Sequence, residues 1–242
     1  MRAGGERHRH LDCPDLAGGR RSRHAPCRAA VDREVERAVF RRGVWHPEDL
    51  RPGLTGIQFW NGAPRQDFLN GRAFWIRRLM QGEFWLPGGG TDAHGDLNRS
   101  TGVKTPLVSL WANRDHLFGA VRTWVPVGSG KFGAKELAAA LKGPATLVGN
   151  GPWLEARREA SGAVYVHAKS TPDLGEIERV VLFTGLEGAV AEAARSVGPE
   201  SGKTLGHEVE LRVEPSPQAR HFRAEVVTTK KARALVSALR LS

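Results

Sequence analysis

The residues best placed to do chemistry lie in one glycine-rich stretch, Gly88-Gly89-Gly90-Thr91-Asp92-Ala93-His94-Gly95-Asp96. Asp92 and His94 are two apart. At the end of an extended segment, side chains at i and i+2 point the same way. A carboxylate and an imidazole would then converge on one point, which suits a divalent metal that takes both oxygen and nitrogen donors. The preceding glycines allow a sharp turn and leave room for a ligand. Asp96 is a further candidate, as a third ligand or as a partner that orients His94. The plainer reading has Asp92 capping a turn and His94 as polar loop surface.

Other chemistries have weaker signatures. Gly198-Pro-Glu-Ser-Gly202-Lys203-Thr204 has three residues between its glycines where a phosphate-binding loop has four. The segment after it reads as a strand, whereas such a loop opens a helix. A β-turn explains it. There is no Gly-X-Ser-X-Gly elbow. Both cysteines, Cys13 and Cys27, precede residue 43, so a cysteine nucleophile or cysteine zinc cluster is excluded from the rest of the chain.

The elements that must hold Asp92 and His94 can be read from periodicity. Gly56–Trp60 reads as a strand stopped by Asn61-Gly62. Residues 68–81 read as a helix with Leu69, Ala73, Ile76 and Met80 on one face. Glu83–Pro87 is expected to be a short strand running into the glycines. Leu117–Val127 and Ala145–Val148 are expected strands, and Lys135–Lys142 a helix stopped by Gly143-Pro144. Strand alternating with helix is α/β grammar. Beyond residue 157 the grammar turns to β, over Ala163–Ala168, Ile177–Thr184, Glu208–Val213, Phe222–Thr228 and Ala234–Leu239. Glu187–Val197 reads as a helical insertion. The expected divisions are 1–42, an arginine-rich irregular tail with one short helix over 31–42; 43–156; and 157–242. All seven tryptophans lie between Trp45 and Trp153, and they read as core and rim rather than as base-stacking groups. The adjacent pairs Phe59-Trp60 and Phe84-Trp85 are expected to point to opposite faces.

The order of landmarks, Phe59-Trp60-Asn61-Gly62, a helix, Gly90-Thr91-Asp92-Ala93-His94-Gly95-Asp96, Arg122 and Gly149-Asn150-Gly151-Pro152, resembles the C-terminal half of the PHP (polymerase and histidinol phosphatase) metallohydrolases, in their CehA/McbA-like branch. The resemblance covers roughly residues 43–242. It implies an α/β fold, a partial TIM-like barrel followed by a small antiparallel β-sandwich-like domain. It implies Asp92 and His94 as ligands of a divalent metal (zinc, manganese or iron) and hydrolysis of a phosphoester. Asn61 and Arg122 would line the pocket, Arg122 clamping the anion. Strand-end hydrogen bonding and surface charge remain the plainer accounts of those two. His46, before Pro47, matches a His-Pro of the family and is a candidate metal ligand. The family's first ligands are a His-X-His pair on strand one. His8-Arg9-His10 has that spacing but no apolar strand before it, and only 49 residues separate His10 from Trp60. The chain therefore reads as the later half of such a hydrolase, impaired or completed by a second chain.

Charge bears on partners. The net charge is +10, and residues 1–42 supply half of it through 11 Arg against 6 acids. The expected partner is a small anionic substrate such as a phosphoester. Nucleic acid is less favoured because the basic excess belongs largely to the tail. The rival reading is a non-catalytic binding protein whose tail contacts a polyanion. No apolar run approaches the ~18 residues of a membrane span, and no secretory signal is read at the start. A cytoplasmic protein that oligomerises is the expectation.

Overall fold

The computed structural model describes residues 53–91, 118–127, 133–141, 145–199 and 203–242. The tail, the helix expected over 31–42, and His46, Asp92, His94 and Asp96 lie outside the described residues. No helix among the described residues is long and apolar enough to cross a membrane.

The described residues open with a parallel pair. Strand β1 (Gly56–Asn61) leads into helix α1 (Gln66–Met80), which returns to β2 (Leu86–Gly90). The expected strand at Glu83–Pro87 lies further on, with all three glycines in it, because they pair with Gln58, Trp60 and Asn61 of β1. The register slips between Gln58 and Trp60, so Phe59 is a bulge residue. A bulge turns two successive side chains toward one side. Phe59 and Trp60 therefore do not point apart as alternation predicts; both rings meet Phe68 of α1, at centroid distances of 5.9 and 4.7 Å.

Helix α1 buries a face other than the expected one. Phe68, Gly71, Phe74, Trp75 and Leu79 are buried, while Leu69 and Ala73 face solvent. The aromatic rings decide this, since each takes ~150–250 Å² from water. Asp67 in the first turn and Arg77 and Arg78 in the last oppose the helix dipole favourably.

The remaining strands are β3 (Arg122–Trp124), β4 (Leu147–Gly149), β5 (Trp153–Arg158), β6 (Val164–Lys169), β7 (Ile177–Leu186), β8 (Ala193–Val197), β9 (Glu208–Val213), β10 (Ala219–Thr228), β11 (Arg233–Val236) and β12 (Leu239–Arg240); α2 spans Ala134–Ala140. They form a seven-stranded sheet in the order β3-β4-β11-β10-β7-β8, with β12 beside β10, and a three-stranded sheet β5-β6-β9. Every pairing in both sheets is antiparallel. This overturns the α/β expectation: the described residues are mostly β, with no TIM-like barrel. A barrel needs successive parallel strands that close on themselves. Here β1 and β2 are the only parallel pair among the described residues, and β4 runs antiparallel to both β3 and β11.

The helix expected over Glu187–Val197 is also absent. Glu187 and Gly188 turn the chain, and β8 runs back along β7.

Strand β10 explains the architecture. Its even-numbered residues Phe222, Ala224 and Val226 pack with Val180 and Leu182 of β7 and with Leu154, Val164 and Val166 of the three-stranded sheet. Among its odd-numbered residues, His221, Arg223 and Glu225 form a largely buried polar layer with Glu192 from the β7–β8 loop. The Arg223 Nε donates to Glu192 Oε1 at 2.8 Å and its Nη2 to Oε2 at 2.6 Å, while His221 Nε2 meets Glu192 Oε1 at 2.9 Å. Arg223 and Arg72 of α1 both pair with Glu225. The Arg223 guanidinium lies 3.8 Å from the Phe183 centroid and 5.3 Å from that of Trp75. Gly185, paired with His221, leaves the imidazole its space: a Cβ there would sit 2.0 Å from the ring.

Burial pushes the Glu192 carboxyl up, but the hydrogen bonds from His221 and Arg223 and the Arg223 charge outweigh it and hold it at about 2, against an ordinary 4.5. A carboxyl lowered in the folded state adds stability above its unfolded value and loses it as pH falls toward the folded one. Stability should therefore drop between about pH 4.5 and 2. Glu192→Gln should cost on the order of 3 kcal/mol at neutral pH, because Arg223 keeps its burial and loses its main partner. Urea denaturation at pH 7 and pH 3 checks this: the variant should be less stable at pH 7, and its difference from the parent should shrink at pH 3.

Candidate functional site

The rim where β1 and β2 end gathers most of the described landmarks. Asn61, the last residue of β1, is opposite Gly90, the last of β2, and the Gly62 N–H donates to the Gly90 carbonyl at 3.1 Å. Thr91 is buried. Asp92 is the next residue in sequence.

The neighbouring sheet joins this rim through Thr123. Its hydroxyl donates to the Gly89 carbonyl at 2.8 Å and accepts from the Gly89 N–H at 2.9 Å. Arg122 precedes it on β3 and pairs with Gly149, the last residue of β4. Asn150 follows, and its Oδ1 accepts the Arg233 N–H at 2.7 Å. The run Asn61, Gly90, Gly89, Thr123, Arg122, Gly149 is thus continuous through backbone pairing and two hydrogen bonds.

Side chains along the run divide into two kinds. Asn61 is exposed and its Oδ1 accepts from the Gln58 amide. Arg122 is exposed, with its guanidinium 5.3 Å from the centroid of Trp124, two residues on along the same face. Both are strand-end groups open to solvent. Asn150 ties β4 to β11. Thr123 was invisible to motif reading, because only the pairing of β3 with β4 brings it beside β2.

The fit to a metal rests on the donor set. The described rim residues offer an amide, a hydroxyl and a guanidinium, and a guanidinium repels cations. The carboxylate and imidazole that suit a borderline divalent ion are Asp92 and His94, in the residues that follow β2. Among the described residues, the one group of three ligand side chains within mutual reach is elsewhere: His167, Glu208 and Glu210, on β6 and β9.

No known family model, curated protein or solved structure matches this chain.

Packing at the rim demands glycine at one position and tolerates a methyl at the next. A Cβ on Gly89 would sit 2.6 Å from Val148 Cγ1 and 2.9 Å from Val121 Cγ1, whereas one on Gly90 would meet only the Gln58 side chain, at 3.4 Å. Gly89→Ala should destabilise by about 1–3 kcal/mol, and Gly90→Ala by less than about 1 kcal/mol. Thermal or urea unfolding of the two variants checks the contrast; equal losses would contradict this account of the rim.

Proposed function

We propose that this chain is a divalent-metal-dependent hydrolase of the PHP phosphoesterase type, acting on a small anionic phosphoester in the cytoplasm. Its centre is the rim where β1 and β2 end. The reading is supported by one observation above others: a strand–helix–strand unit with parallel strands whose carboxyl ends, Asn61 and Gly90, lie in register. Ligands of parallel strand–helix units bind outside those ends. The Asp92-X-His94 pair comes immediately after one of them in sequence.

Asp92 and His94 would hold the ion, with Asp96 as a further donor or as the group orienting His94, and His46 as an additional ligand. The ion, when bound, would supply Lewis-acid polarisation of the ester. Arg122 would bind the anion. Its guanidinium is exposed, without a carboxylate partner among the described residues, and lies over the Trp124 ring. Asn61 would orient the substrate through its amide, held by Gln58. With so small a ligand set the centre would turn over slowly.

Hydrolysis of nitrophenyl phosphate with added manganese or zinc tests the reading. The full chain should release nitrophenol, and Asp92→Ala and His94→Ala should each abolish release. Arg122→Ala should raise KM by about tenfold or more, the loss of a charge-assisted contact worth roughly 1.5–3 kcal/mol, with a smaller effect on kcat. Equal rates in the parent, Asp92→Ala and His94→Ala would contradict the assignment.

A further inference from the structure

A second site sits on a different sheet and does not depend on the proposed hydrolase. We propose that the outer face of the three-stranded sheet carries a binding site for a divalent cation of the zinc class, formed by His167, Glu208 and Glu210.

The face is a grid set by strand register. Lys169 of β6 stands opposite Glu208 of β9, and His167 stands opposite Glu210. Residues two apart on a strand share a face, so His167, Glu208 and Glu210 project together from two directly paired strands. Their ligand atoms all lie within 4.8 Å of one another. The His167 Nε2 is 2.8 Å from Glu208 Oε1 and 3.9 Å from Glu210 Oε1. A tetrahedral ion bound at about 2.0–2.1 Å holds its donors about 3.3 Å apart. The two distances straddle that value.

One imidazole and two carboxylates form a donor set that zinc accepts and that suits magnesium or calcium poorly. The carboxylates are half exposed, and the His167 side chain is largely covered. Three protein donors are therefore held on the sheet while the outer side of the ion faces solvent.

The competing cation is Lys169, whose Nζ is 2.8 Å from Glu208 Oε1. The other charges on this face are engaged elsewhere. Arg157 lies over the Tyr165 ring and near Glu155, and Arg212 pairs with Glu159 and Glu214. An ion here must displace Lys169 and the proton that His167 Nε2 shares with Glu208.

Zinc chloride titrated into the full chain with nitrogen-15-labelled histidine tests the proposal, since NMR reads His167 separately from every other histidine. The His167 Nε2 resonance, assigned by its loss in His167→Ala, should shift and saturate. Its midpoint should rise about tenfold or more in Glu210→Gln. It should fall several-fold in Lys169→Ala, which removes the competitor and leaves all three donors. A His167 resonance unmoved by millimolar zinc, or a midpoint that is the same in the parent and both variants, would overturn the proposal. Neither outcome bears on Asp92 or His94.

Discussion

The architecture depends on a charge placed where charges are costly. Arg223 occupies the middle of β10 and its side chain is fully buried. Burial disfavours its charged form, and the carboxylates of Glu225 and Glu192 more than restore it. A buried ion that loses one partner costs far more than the intact group contributes. Every element supplying a partner is thereby fixed. Glu192 draws in the β7–β8 loop, Glu225 lies on the same strand, and Arg72 and Trp75 bring α1 against the polar face of β10. The opposite face of the same strand presents Phe222, Ala224 and Val226 to the core it forms with the three-stranded sheet. One strand thus serves two layers of opposite chemistry.

That constraint reaches the rim through α1. The helix buries Phe68 and Trp75 against Phe59 and Trp60 of β1, so its position on β10 sets where β1 and its partner β2 end. Thr123 then fastens the edge of the large sheet to β2 at Gly89. The stretch carrying Asp92 and His94 leaves from a strand end braced from both sides: by the aromatic cluster under β1, and by Val121 and Val148 against Gly89. A binding group needs such rigidity, because a small misplacement of a donor weakens both binding and catalysis.

Local patterning was legible in the sequence where one face was wet and one dry. Strand β9 has its expected bounds, Glu208–Val213, because glutamates and arginine alternate with Val209, Leu211 and Val213. Helix α1 was legible as a helix, but its buried face was not. Aliphatic spacing pointed to Leu69 and Ala73, and the larger rings at Phe68, Phe74 and Trp75 won. The bulge at Phe59 and the strand made of three glycines depend on a partner strand that no local pattern announces. The same holds for β10, whose arginine, glutamate and histidine are gathered into one largely buried layer. Strand direction was the largest loss. Alternating helices and strands suggested α/β structure and the family resemblance a barrel, yet β3, β4 and β11 pair antiparallel across more than a hundred residues of chain. Of the candidate site, Asn61, Arg122 and the Gly149-Asn150 turn were found from motif order, and the structure brings them to one edge. Thr123 was missed for want of a motif. His167 and Glu208 were missed because 41 residues separate them and only strand register makes them neighbours.

The most direct test of the central claim is the position of an anomalous scattering peak in crystals of the full chain grown with zinc. A peak just beyond Thr91, within coordinating distance of both the Asp92 carboxylate and the His94 imidazole, is what the account predicts. Zinc bound in those crystals only at other sites, with neither side chain among its ligands anywhere, would contradict it.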